Sequence, residues 1–215
     1  MTYPNAYAGI KKIRTATILE IISVALLIAA AIFGLFAAGI IGDPTNEIAV
    51  DSFSLATVLT VLPVMILPFI ALIIQIIGLG AAAKESSKFK TAYTIVIISL
   101  LVSVINGTLP NFKIDDMEIC ELIMHILSML TFYYVVEGIK ELCAPLGRND
   151  IVRLANKVAI IYFVGMAAAT AIDFFTGDAA NFGAIISTIG LILSIVADFM
   201  YVSLLGKAAD ALETA

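Results

Sequence analysis

Six apolar blocks, each about as long as a lipid bilayer is thick, are what most constrains this chain. They cover about 16–41, 53–80, 92–109, 118–138, 156–175 and 184–206, and short polar connectors separate them. A helix rises about 1.5 Å per residue, so roughly 20 apolar residues cross the hydrocarbon layer. Backbone amides find no water there, and a helix satisfies its own within one segment. The blocks predict an all-α integral membrane protein with six transmembrane helices, forming one membrane domain over residues 1–215. Composition agrees: 61% of the residues are hydrophobic and 13% charged, whereas soluble domains run near half and a quarter. "KKIR" precedes the first block, which is far longer than the roughly 7–15 apolar residues of a secretory signal. It reads as a retained first helix. The sequence shows no lipidation motif.

Basic residues set the expected orientation. Lys11, Lys12, Arg14, Lys84, Lys88, Lys90, Lys140, Arg148, Arg153, Lys157 and Lys207 all fall on one side of the predicted spans, and Lys113 alone falls on the other. Short loops rich in Lys and Arg stay cytoplasmic. The expectation is a multi-pass protein of a bacterial plasma membrane with the N-terminus and C-terminus inside. The opposite loops are acidic, with Asp43, Glu47, Asp51, Asp115, Asp116, Glu118 and Asp178. The lipid bilayer is the expected partner, and anionic lipid would suit the basic face. Topology already accounts for the basic residues, so nucleic acid is not an expected partner. Cys120 and Cys143 fall on opposite sides, too far apart for a disulfide.

Short stretches recur. "KIRTATIL" (12–19), "KFKTAYTI" (88–95) and "IVRLANKV" (151–158) each place a basic residue two before an alanine. "ILPFIALIIQIIGLG" (66–80) aligns without gaps with "ILSIVADFMYVSLLG" (192–206), and "ILSMLTFYYVVEG" (126–138) matches with a two-residue deletion. Two readings stand: three parallel helical-hairpin repeats, or the family likeness of membrane helices in general.

Ala30, Gly34, Ala38 and Gly42 recur every four residues in the first helix, and Gly165 and Ala169 do so in the fifth. Small residues at this spacing form a groove for close helix approach, either within the chain or against a membrane-protein partner or a second copy. Pro63 and Pro68 predict a kink in the second helix. Each removes an amide donor and displaces the carbonyl four residues earlier, here Leu59 and Val64. Such carbonyls need new partners in lipid.

The polar groups at membrane depth are the candidate ligands. Asp198 lies eight residues before Gly206 and fourteen after Ala184. A carboxylate near the bilayer centre costs about 2.5–3.5 kcal/mol on insertion scales. The sequence places no Lys or Arg at any helix centre to pair with it. Asp198 therefore calls for water, a proton or a cation, the bland alternative being a single interhelical hydrogen bond. Gln75, Tyr201 and Glu20 fall in the inner half with Tyr133, Tyr134 and Glu137, and Gln75 and Tyr201 are equivalent in the gapless alignment. Glu118, Glu121 and His125, spaced by three and four, share one helical stripe near the outer boundary. They read as an outer vestibule or as hydrated helix-end groups.

Enzymatic chemistry is not expected. One histidine cannot build a multi-histidine centre, and HExxH, GxSxG and Walker A motifs do not occur. No metal site and no cofactor are expected. The leading reading is a small transport or permeation protein, or a substrate-binding membrane subunit, for a proton, a cation or a small cationic solute. The alternative is a non-transporting interaction protein, such as a scaffold, immunity or sensor subunit, docked through the groove at Ala30, Gly34 and Ala38.

Overall fold

The computed structural model describes residues 3–40, 47–108, 117–169 and 180–215, all of them helical apart from tight turns and a few end residues. The helices are α1 (Pro4–Ile40), α2 (Glu47–Ala82), α3 (Ser87–Thr108), α4 (Met117–Cys143), α5 (Asn149–Ala169) and α6 (Ala180–Glu213). Among the described residues, six helices are long and apolar enough to cross a membrane. Among the described residues their apolar stretches carry many exposed side chains: Phe69 is 67% exposed, Ile160 64% and Phe199 60%. Continuous apolar exposure of this kind does not suit water. The chain is a polytopic membrane protein by architecture.

The helices outrun the apolar blocks at one end. α1 begins at Pro4 rather than near 16, and α6 continues to Glu213 rather than stopping near 206. Both extensions are amphipathic. Ala6, Ile10 and Ile13 are buried between exposed Lys11, Lys12 and Arg14, and Ala208, Ala209 and Leu212 are buried beside exposed Lys207 and Asp210. Pro4 suits a first helical turn, where its missing amide has no partner to lose.

Backbone packing divides the chain into two compact units, Met1–Arg14 with Ile76–Ala215, and Thr15–Gln75. In the first, α4 packs against α3, α5 and α6, and α5 lies along α6. Its apolar core includes Phe89, Val135, Val136, Ile139, Leu204 and Leu205, all fully buried or nearly so. Glycines bring the backbones close: Gly138 receives the ring of Phe89, and Gly165 lies against Ser194.

Polar bonds knit the end of this unit where the first and last helices meet the short turns. Glu85, in the α2–α3 turn, accepts from the amides of Asn5 (3.0 Å) and Ala6 (2.7 Å), which are first-turn donors of α1. Those amides have no partner within their own helix, and a carboxylate there also meets the positive end of the helix dipole. Tyr7 donates to Glu213 (2.7 Å) and accepts from Lys11 (2.8 Å). Ser86 caps α3 by accepting from the amides of Lys88 and Phe89, and donates to Glu141 at 2.7 Å. The α4–α5 turn closes through Gly147, whose φ of +71° favours a residue without Cβ.

In the second unit α2 runs as one helix through Pro63 and Pro68. The carbonyl of Val64, which Pro68 deprives of its helical donor, accepts from the hydroxyl of Ser23 on α1 at 3.3 Å. Ser23 is buried, so a sequence-predicted vacancy is filled by a residue forty-one positions away. Ser23→Ala is expected to destabilise the chain by about 0.6–1.7 kcal/mol, the range of interhelical hydrogen bonds in membranes. Denaturant titration in mixed micelles checks this.

Candidate functional site

α6 presents a buried stripe that includes Gly190, Ala197, Tyr201, Leu204, Leu205 and Ala208, while Ile195, Val196 and Phe199 face outward. Asp198 stands at the border of the two faces and is half-buried. It lies fifteen residues from Gly183 and eight from Gly206, where the apolar block ends, about 22 and 12 Å of helix. No hydrogen bond or ion pair to Asp198 occurs among the described residues.

One turn toward Glu213, four aromatic rings from three helices come together. Phe132 of α4 stacks on Tyr162 of α5, with centroids 3.8 Å apart and planes 15° from parallel. Tyr201 of α6 meets Phe132 at 4.9 Å. Phe163 meets both Phe132 and Tyr162 edge-on, at 6.4 and 5.8 Å. Offset and edge-to-face pairs each contribute about 0.5–1.5 kcal/mol beyond burial. Phe132 and Tyr201 are almost fully buried, so the cluster is a packed junction of α4, α5 and α6 one turn along α6 from Asp198.

The sequence had singled out Tyr201 but not Phe132, Tyr162 or Phe163. A depth count would have found two of them. Phe132 lies eleven residues from the end of α4, Tyr201 twelve from the end of α6, and Tyr162 thirteen from the start of α5. At 1.5 Å per residue these are about 16 to 20 Å from one end of the helices.

Gln75 is half-buried on α2, and Glu20 is exposed on α1. Tyr133 and Tyr134 pack edge-on against each other at 5.4 Å. Glu137 is paired with Lys140 at 2.7 Å, which withdraws it from the candidate ligands. His125 is exposed on α4, between Leu122 and Ile126, which are also exposed. The side chains of Glu118, Glu121 and Ala38 and the surroundings of Gly34 lie outside what is described; Ala30 is half-buried. Pro63 is half-buried and Pro68 exposed. The carbonyl of Val64 is engaged by Ser23, so it is no free ligand. Cys143 is a buried free thiol.

Comparison with protein-family models, curated proteins and solved structures finds no match to this chain.

Proposed function

We propose that this polytopic membrane protein is a small permeation protein, or a substrate-binding subunit, for a proton, a cation or a small cationic solute. In this reading both termini lie in the cytoplasm of a bacterial cell. One observation carries it: Asp198 is half-buried about 12 Å of helix inside the end of the apolar block at Gly206, without a hydrogen-bond or ionic partner among the described residues. A carboxylate held at that depth is stabilised by water, a proton or a guest cation. The aromatic cluster one turn along α6 packs the neighbouring stretches of α4, α5 and α6 together. By their positions along the spans, His125 and Glu121 would stand toward the outer side of the membrane, and Glu20 and Gln75 toward the inner side.

Three parallel hairpins would place these groups at comparable depths, and burial supports that arrangement. Ala16, Ala92 and Ala155, which occupy one position of the recurring entry motif, are all buried, and Arg14, Lys90 and Arg153 are all exposed. Ala71 and Ala197, matched in the gapless alignment, are fully buried, as are Leu79 and Leu205.

The test is flux in proteoliposomes, read with proton- and cation-sensitive dyes for the parent, Asp198→Asn and Asp198→Glu. Asp198→Asn is expected to reduce flux by about tenfold or more, as for a carboxylate that carries the cation, and Asp198→Glu to retain part of it. Undiminished flux in folded Asp198→Asn would remove this residue from the mechanism.

A further inference from the structure

The carboxylates at the polar end of the first unit are mostly occupied within the fold. Glu85 holds the first amides of α1, Glu141 accepts from Ser86, Glu213 accepts from Tyr7, and Glu137 and Asp150 pair with Lys140 and Arg148. Asp210 is the exposed exception. Lys140, Arg148 and Lys11 are engaged within the fold as well, but six other basic side chains are not. Lys84, Lys88, Lys90, Arg153, Lys157 and Lys207 are exposed and unpaired among the described residues. This end therefore directs uncompensated positive charge outward.

Depth decides what that charge meets. Ile160, 64% exposed, follows Lys157 by three residues and Arg153 by seven; Ile98, 44% exposed, follows Lys90 by eight and Lys88 by ten. Each basic group thus stands within about 15 Å, along its helix, of the lipid-facing band. Long Lys and Arg stems reach from such positions to the headgroup layer.

We propose that this end binds the phosphate groups of anionic phospholipids, through Lys88 and Lys90 of α3 and Arg153 and Lys157 of α5. The partner is a lipid, because an apolar belt exposed directly beside the charges gives the acyl chains a surface that a free phosphate would not use. A basic side chain near an anionic membrane surface contributes about 1 kcal/mol, or about fivefold in association. The proposal rests on the six membrane spans and not on any flux.

The test uses the full chain in phosphatidylcholine bilayers carrying spin-labelled phosphatidylglycerol or spin-labelled phosphatidylcholine. The motionally restricted fraction reports lipid held at the protein. Phosphatidylglycerol is expected to be preferred by about fivefold. The preference is expected to fall to about twofold or less in K88Q/K90Q/R153Q/K157Q, and in the parent at about 0.5 M KCl, where screening shortens the reach of each charge. Helix content and melting should not change, since these side chains hold nothing in place. If the fourfold variant does not fold, K88Q/K90Q and R153Q/K157Q carry the same test separately. Equal restriction of the two lipids would overturn the proposal, as would an undiminished preference in folded variants. Displacement of the label by inorganic phosphate at constant ionic strength would also overturn it, assigning the charges to a soluble anion.

Discussion

Gly190→Ala is expected to lower the stability of the chain by about 3 kcal/mol, the upper part of the range for overpacking. A methyl group at this position would be driven into the backbone of α5, against the amide nitrogen and Cα of Ala169 and the carbonyl carbon of Ala168. Backbone atoms cannot swing aside as a side chain can. Ala169 is also held in place, because its carbonyl accepts from Ser187 of α6 at 2.8 Å. A helix turn or so along the same crossing, Gly165 lies so close to α6 that a Cβ there would stand 2.9 Å from the amide of Ser194. With two tight points, α5 can neither slide nor rotate to relieve a clash at one of them. Ile189, the neighbour of Gly190, is 51% exposed, so Ile189→Ala should stay within about 0.5 kcal/mol of the parent. Unfolding in mixed micelles, followed by circular dichroism, compares the two. Equal midpoints for Gly190→Ala and the parent would mean that α5 and α6 cross more loosely than described.

Gly165 could be read from sequence as a contact, since it begins a small-residue spacing, but Gly190 could not. Its partner is backbone on another helix, and the spacing that marks it, Gly190 to Ser194, pairs glycine with a serine rather than with the alanine and glycine that drew attention elsewhere. The same division runs through the fold. In lipid a single spanning segment meets its own backbone bonds only as a helix, so the apolar blocks find six helices. Their ends are governed by different physics. Beyond the apolar band, α1 and α6 continue as ordinary amphipathic helices, with Ile10, Ile13 and Leu212 inside and lysines outside. An apolar-block criterion misses a segment that alternates in this way. Glu85 shows the limit most clearly: in the sequence it is one more acid in a short loop, and only the folded chain brings it to the first turn of α1.

The candidate site divides likewise. Asp198 was legible because an acid in an apolar span is expensive wherever its neighbours lie. The aromatic cluster one turn away was not, since aromatic residues are common in membrane helices and only their meeting distinguishes these four. Val64 was legible as a carbonyl in need of a donor, from the position of Pro68 alone. Ser23 as its donor was not, because hydroxyls at membrane depth most often bond to their own helix, as Thr94, Ser99, Thr131 and Thr188 do here. Glu137 read as a free acid only until the pairing with Lys140, one turn along α4, was seen.

Gly9→Ala should open the polar end of the first unit and lower stability by about 2–3 kcal/mol. Gly9 of α1 crosses Gly78 of α2 glycine on glycine. A Cβ on Gly9 would lie 2.5 Å from the carbonyl oxygen of Gly78 and 2.8 Å from the amide of Ala82. The converse substitution, at Gly78, would meet the carbonyl oxygen of Gly9 at 2.8 Å. Neither helix can yield without cost, because α1 is fastened on both sides of the crossing. Glu85 holds the amides of Asn5 and Ala6 ahead of it, and Arg14 lies against Gly206 of α6 beyond it. A methyl at Gly9 must therefore push α1 off Ala82, and the first bonds to stretch are those to Glu85, four residues or fewer away. Hydrogen exchange separates this from a general loss of stability. Exchange at Asn5 and Ala6 should accelerate at denaturant levels too low to unfold the chain, while amides in the middle of α5 keep the protection of the parent. Ala8→Leu, one residue away on the exposed side of the helix, is the matched control and should change exchange at neither place. If Gly9→Ala leaves Asn5 and Ala6 as protected as in the parent, α1 has room at the crossing and its closeness to α2 does not hold this end together.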